Sequence, residues 1–199
     1  MKELRRVPRR MPSPDVAGHT EPMSMSAVHG PTGVLRAVFD RIRSRFNGDM
    51  PPLDGATTWL NSAPLSRADL RGKVVLVQFW SYTCIDWLGT LPYVSAWSEN
   101  YAARGLVVIG VHTPEHSFEH DIENVMRAPT GLGIRYPIAI DNHSTIWEAF
   151  KRPYSPSLFV VDAALHVREH LSGSEGYQQL DQLIRQLVDD LGEKERSRG

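Results

Sequence analysis

Lys73 to Pro92, KVVLVQFWSYTCIDWLGTLP, is the stretch on which the reading of this 199-residue chain turns. It opens with the apolar run Val74 to Trp80, rich in the β-branched and aromatic residues that suit a buried strand, and passes through the short turn Ser81-Tyr82-Thr83. The only cysteine, Cys84, follows. From Leu88 onward Leu88, Leu91, Val94 and Tyr101 recur at helical spacing, so the period changes from strand to amphipathic helix. Cys84 is thereby expected where a buried strand hands over to a helix. The unpaired N–H groups and the positive end of the helix dipole there favour the thiolate, the reactive form; Asp86, two residues on, opposes it.

Length and composition narrow the classes further. With 41% hydrophobic residues and a net charge of −1, the chain can bury the core of one α/β domain with an extension. Near-neutral charge gives no electrostatic footprint for nucleic acid, although Lys2, Arg5, Arg6, Arg9 and Arg10 make the start locally basic. One cysteine excludes an internal disulfide and a cysteine-only metal site.

Outward from the central stretch, strand and helix patterns alternate, which predicts a mostly parallel or mixed sheet with helices on both faces. Strands are expected at Ala56 to Leu60, Val74 to Trp80, Leu106 to His112 and Pro137 to Ile140, and as a hairpin of Leu158 to Val161 with Val167 to Leu171. Helices are expected at Ile85 to Ala103, bent at Pro92, at Ile122 to Arg127, ending at Pro129, at Ser144 to Phe150, and at Tyr177 to Leu191. The chain divides into a proline-rich segment 1–32 expected to lack order, a basic amphipathic helix and linker 33–50, a domain 51–192 and a charged tail 193–199. The apolar face of residues 34–46 suits either an anionic membrane surface or the protein's own domain. No signal-peptide block or spanning run is legible, and the expected address is cytoplasmic.

Several motifs together carry a family resemblance. Phe79-Trp80, Cys84 and Pro92 resemble the active-site segment of the thioredoxin superfamily; GATTWLN at Gly55 to Asn61, LRGK at Leu70 to Lys73, LPY at Leu91 to Tyr93 and GVHTPE at Gly110 to Glu115 resemble its DipZ-type and TlpA/ResA-type redoxins, related to the alkyl hydroperoxide reductase and thiol-specific antioxidant proteins. The resemblance covers about residues 52–190 and implies a thioredoxin fold with a central insertion. It departs in one place: Trp87 stands where the family's second cysteine belongs.

That departure shapes the expected chemistry. Cys84 is the candidate nucleophile, and with no resolving thiol an external thiol such as glutathione must release the product. The resemblance further implies a cis-proline at Pro156, with Ser155 lining the site; Trp80 and Trp87 are expected beside them in a groove for a thiol, disulfide or peroxide substrate or an extended peptide, the Trp87 indole either covering the sulfur or offering a flat binding surface. It assigns Glu115 a place near the thiol, as proton acceptor or tuning group. Two alternatives stay open: a one-cysteine peroxidase, for which Ser81 fits the family pattern and Val77 does not, and a peptide-binding module without turnover. His112, His116 and His120 recur every four residues, but Pro114 and the strand exit deny them one regular helix, and no metal is expected.

Overall fold

The structure, a computed structural model, describes residues 48–151, 153–173 and 175–197. The expected segment 1–32 and the amphipathic helix at 34–46 lie outside the described residues. Six strands, β1 (Thr58–Leu60), β2 (Val74–Trp80), β3 (Leu106–His112), β4 (Ile138–Ile140), β5 (Ser157–Val161) and β6 (Val167–Ser172), form one sheet in the order β1-β4-β3-β2-β5-β6. The sheet is mixed: β2 pairs parallel with β3 and β3 with β4, while β1, β5 and β6 join antiparallel. This is the α/β thioredoxin fold expected from the sequence.

The two central strands are apolar along their length because both faces of the sheet are covered. On one face Val74, Leu76 and Trp80 of β2 and Leu106 and Val108 of β3 meet two helices, α2 (Ile85–Tyr101) and α5 (Tyr177–Arg196), through Leu91, Val94, Trp97, Leu180, Ile184 and Val188. On the other, Val75, Val77, Phe79, Ile109 and Val111 pack with Leu70 of α1 (Arg67–Leu70), with Ile146 of α4 (Thr145–Ala149) and with Phe150. Gln78, polar and fully buried, belongs to the first face, and its amide is satisfied at both ends: it donates to Thr90 Oγ1 at 2.6 Å and accepts from the Tyr136 hydroxyl at 3.0 Å. Such a network fixes the strand against the helix only because every member has a partner.

Several elements depart from the sequence reading, each for a local reason. Helix α3 (Ile122–Gly131) runs through Pro129 rather than ending before it. Pro129 is buried, and the turn around it is kept by Thr130 Oγ1 donating to Met126 O at 2.8 Å and Leu132 N to Ala128 O at 3.1 Å. Helix α1, which the sequence pattern does not announce, is started by a reciprocal cap in which Asp69 Oδ2 accepts from Ser66 N at 2.9 Å and Ser66 Oγ from Asp69 N at 3.3 Å. The last helix continues past Leu191 to Arg196, so the tail from 193 is largely helical. A 3₁₀ turn, Ser117–His120, occupies the segment after β3, and His112, at the end of that strand, shares no helix with His116 or His120.

Candidate active site at the head of the second helix

The chain leaves β2 at Trp80, turns through Ser81-Tyr82-Thr83, and enters α2 with Cys84 as the N-cap residue at φ −74° and ψ 107°. Cys84 N donates to Ser81 O at 3.1 Å and Trp87 N to Cys84 O at 3.2 Å, so the turn closes directly into the first helical turn. The sulfur is half-buried, and its S–H donates to Ser155 O at 3.7 Å. The Ser155–Pro156 peptide is cis, as the resemblance implies. The single thiol therefore sits at the carboxyl end of the central strand, at the start of a helix, against the loop that enters β5.

Ser155 lies between the thiol and a cavity of about 310 Å³ bordered by Trp80, Glu115, Trp147, Pro153 and Tyr154. Its hydroxyl is buried and forms no hydrogen bond among the described residues. Pro156 is buried, and its carbonyl accepts from Gly173 N at 3.1 Å. Ile85, next to the thiol in sequence, and Tyr154, in the facing loop, are 79% and 82% exposed, which leaves an apolar rim open to solvent.

The two tryptophans do not line a groove with their faces, as the sequence reading expects. Trp87 is 1% exposed and stacks on Trp80, also 1% exposed, with centroids 4.1 Å apart. Trp80 borders the cavity, yet its ring is held between Trp87 and His112, whose centroid lies 4.9 Å away. The close packing requires a glycine in the next strand: a Cβ on Gly110 would meet Trp80 Nε1 at 2.9 Å. The position of the missing second cysteine is thus filled by core, and the indole faces the sheet because Trp87 shares its helical face with Leu91 and Val94 while Leu88 points outward.

Glu115 is exposed at the cavity rim, and what joins it to the cysteine loop is its backbone, not its carboxylate. Glu115 N donates at 2.5 Å to Oε2 of Glu119, a carboxylate that no sequence motif singles out. Glu119 is fully buried. Burial alone would raise its pKa, but hydrogen bonds from the Ser81 and Thr83 hydroxyls and from the N–H groups of Glu115 and His116 outweigh that and hold it down at about 2. Ser81 is consequently engaged with Glu119 at 2.6 Å. The neighbouring His112 is buried with neither ring nitrogen partnered among the described residues, and burial pushes it down to about 4 although Glu119 pulls the other way.

A lone thiol on a helix N-terminus, facing a cis-proline loop in a mixed six-stranded sheet, defines a protein of the thioredoxin class. The chain belongs to the AhpC/TSA family, whose model matches residues 51–170. It is 42% identical over 146 residues to protein DipZ of Mycobacterium tuberculosis, covering 72% of this chain but only 21% of that longer protein. Thiol-disulfide oxidoreductase YkuV of Bacillus subtilis is 28% identical over 140 residues, 70% of this chain and 93% of its own length. Among solved structures, a thioredoxin-like protein in the oxidized form matches with a TM-score of 0.65 at 26% identity, over 73% of this chain and 98% of that one.

Proposed function

We propose that the protein is a thiol–disulfide oxidoreductase that works through the single thiol of Cys84 and relies on an external thiol such as glutathione to finish each exchange. The observation that carries the reading is the seat of the sulfur: half-buried, at the head of α2, 3.7 Å from the carbonyl that precedes cis Pro156. The similarity to YkuV and to ResA of Bacillus thuringiensis, both named thiol-disulfide oxidoreductases, supports the class.

The chemistry follows from having one sulfur. The Cys84 thiolate attacks one sulfur of a substrate disulfide, forms a new S–S bond to it and expels the other as a thiolate, which takes up a proton. The chain holds no second cysteine, so nothing within it can break the mixed disulfide. An external thiolate attacks the substrate sulfur instead, restoring the Cys84 thiolate and leaving with the substrate as a new mixed disulfide. Electrons balance as an exchange of one disulfide for another. The cycle needs a pool of reduced small thiol, which suits the cytoplasmic address expected from the sequence. No helix among the described residues is long and apolar enough to cross a membrane.

One assay on the full chain tests this. Glutathione should deglutathionylate a model peptide mixed disulfide at least tenfold faster in the presence of the protein and not with Cys84→Ser. No acceleration by the protein, or equal rates with Cys84→Ser, contradicts the proposal.

A further inference from the structure

Glu119 is a buried carboxylate that no cation pairs with among the described residues. Its charge is held by five donors, divided by origin. Oε1 accepts from Ser81 Oγ at 2.6 Å, Thr83 Oγ1 at 2.7 Å and Thr83 N at 3.3 Å, all on the turn between β2 and α2. Oε2 accepts from Glu115 N at 2.5 Å and His116 N at 3.1 Å, both on the loop that leaves β3. One oxygen thus serves each loop, and two of the bonds on the first fix both the N–H and the side chain of the residue immediately before Cys84. A second tie reinforces the first: Tyr82 OH donates to Phe118 O at 3.3 Å, and the two rings lie 6.2 Å apart.

We infer that Glu119 is the positioning residue of the reactive thiol, its carboxylate clasping the Ser81–Thr83 turn to the loop after β3 so that Cys84 enters α2 with its sulfur against Ser155. The inference rests on Cys84 being the nucleophile. The group that matters then lies one 3₁₀ turn beyond Glu115, and the polar segment after β3 serves to carry a charge under the cysteine turn. Removing the carboxylate leaves three backbone N–H groups, of Thr83, Glu115 and His116, without an acceptor, and such groups seek water by opening the turn. A glutamine keeps one acceptor oxygen and offers its NH₂ to hydroxyls that can rotate to accept, so it restores part of the clasp.

The test uses full-length Glu119→Ala and Glu119→Gln with two readouts: amide hydrogen exchange over residues 81–87, and the second-order rate of Cys84 adduct formation with glutathione disulfide by mass spectrometry. For Glu119→Ala, exchange over 81–87 should be at least tenfold faster with β5 unchanged, and adduct formation about tenfold slower; Glu119→Gln should recover part of both. Should the alanine variant not fold, Thr83→Val removes one donor and keeps the carboxylate, and should shift both readouts two- to threefold. Unchanged exchange over 81–87 overturns the inference, as does faster exchange with an unaltered rate, which would make the clasp structural only. A wild-type thiol inert to the disulfide, with the turn loosened by Glu119→Ala, would overturn the proposed function while leaving the clasp supported.

Discussion

Trp87→Ala should lower the stability of the protein by about 3–5 kcal/mol, the range found when a large aromatic is cut out of a packed core. The side chain is 1% exposed, stacked at 4.1 Å on Trp80, and part of the cluster that joins α2 to β2 and β3. Domains of this kind are stable by only about 5–15 kcal/mol, so the variant should show a large drop in urea midpoint and a fraction of unfolded chain at ordinary temperature. Trp87→Cys empties nearly the same volume, and a second thiol placed there inherits the cavity. The substitution is therefore not a clean return to a dithiol protein, and its redox behaviour needs to be read beside its denaturation curve. A loss below about 1 kcal/mol for Trp87→Ala would mean that the stack is not the support for α2 that the packing describes.

Acidification from pH 6.5 to 4 should cost about 3 kcal/mol through His112 alone. Its ring is buried, edge-on to Trp80 at 4.9 Å and stacked with Tyr82 at 5.9 Å, and burial lowers its pKa from 6.5 to about 4. The charged groups bearing on it are Glu119, which favours the protonated ring, and His120, which opposes it. Between the two pKa values the unfolded chain binds a proton that the folded one refuses, so stability rises with pH across that window and flattens below it. His170, stacked on Phe159 at 4.2 Å and also pushed down to about 4 by burial, adds to the same slope. Glu119 acts later and with the usual carboxylate sign: its contribution is present above 4.5 and is lost as pH falls toward about 2. Urea midpoints at pH 7, 5.5 and 4 for the parent and for His112→Phe check this; the variant should lose a large share of the slope above pH 4. Equal slopes would show that His112 takes up its proton in the folded state without penalty.

How much of the molecule is legible in its sequence depends on whether the signal is local. β2 and β3 emerge residue for residue because β-branched runs buried on both faces leave few alternatives. The cysteine turn is equally plain, since a lone thiol stands between a strand and a helix, whereas the cis bond at Pro156 is legible only through the family resemblance. The edge strand is two residues shorter than its pattern suggests, because the chain still bends at Thr57 before β1 begins. Trp87 escapes a helical face counted from Leu88, which is 45% exposed, whereas Trp87, Leu91 and Val94 make the buried stripe. Glu119 cannot be paired with Ser81 and Thr83 from sequence at all, because those contacts span 38 and 36 residues and nothing in either segment names the other. Glu115, in the recognisable GVHTPE motif, lies in the same loop, and its N–H donates to the Glu119 carboxylate that the motif does not include.

The central claim is that Cys84 is a working thiol and not a core residue, and native-state alkylation tests it most directly. Folded protein treated with iodoacetamide at pH 7.5 should be carbamidomethylated at Cys84 within minutes, at a rate within about tenfold of that in denaturant, since the sulfur is only half-buried at an open, apolar-rimmed helix end. Glutathione disulfide should give a single adduct at the same residue that excess reduced glutathione removes. A sulfur that stays unmodified in the native state and reacts fully in denaturant would contradict the account.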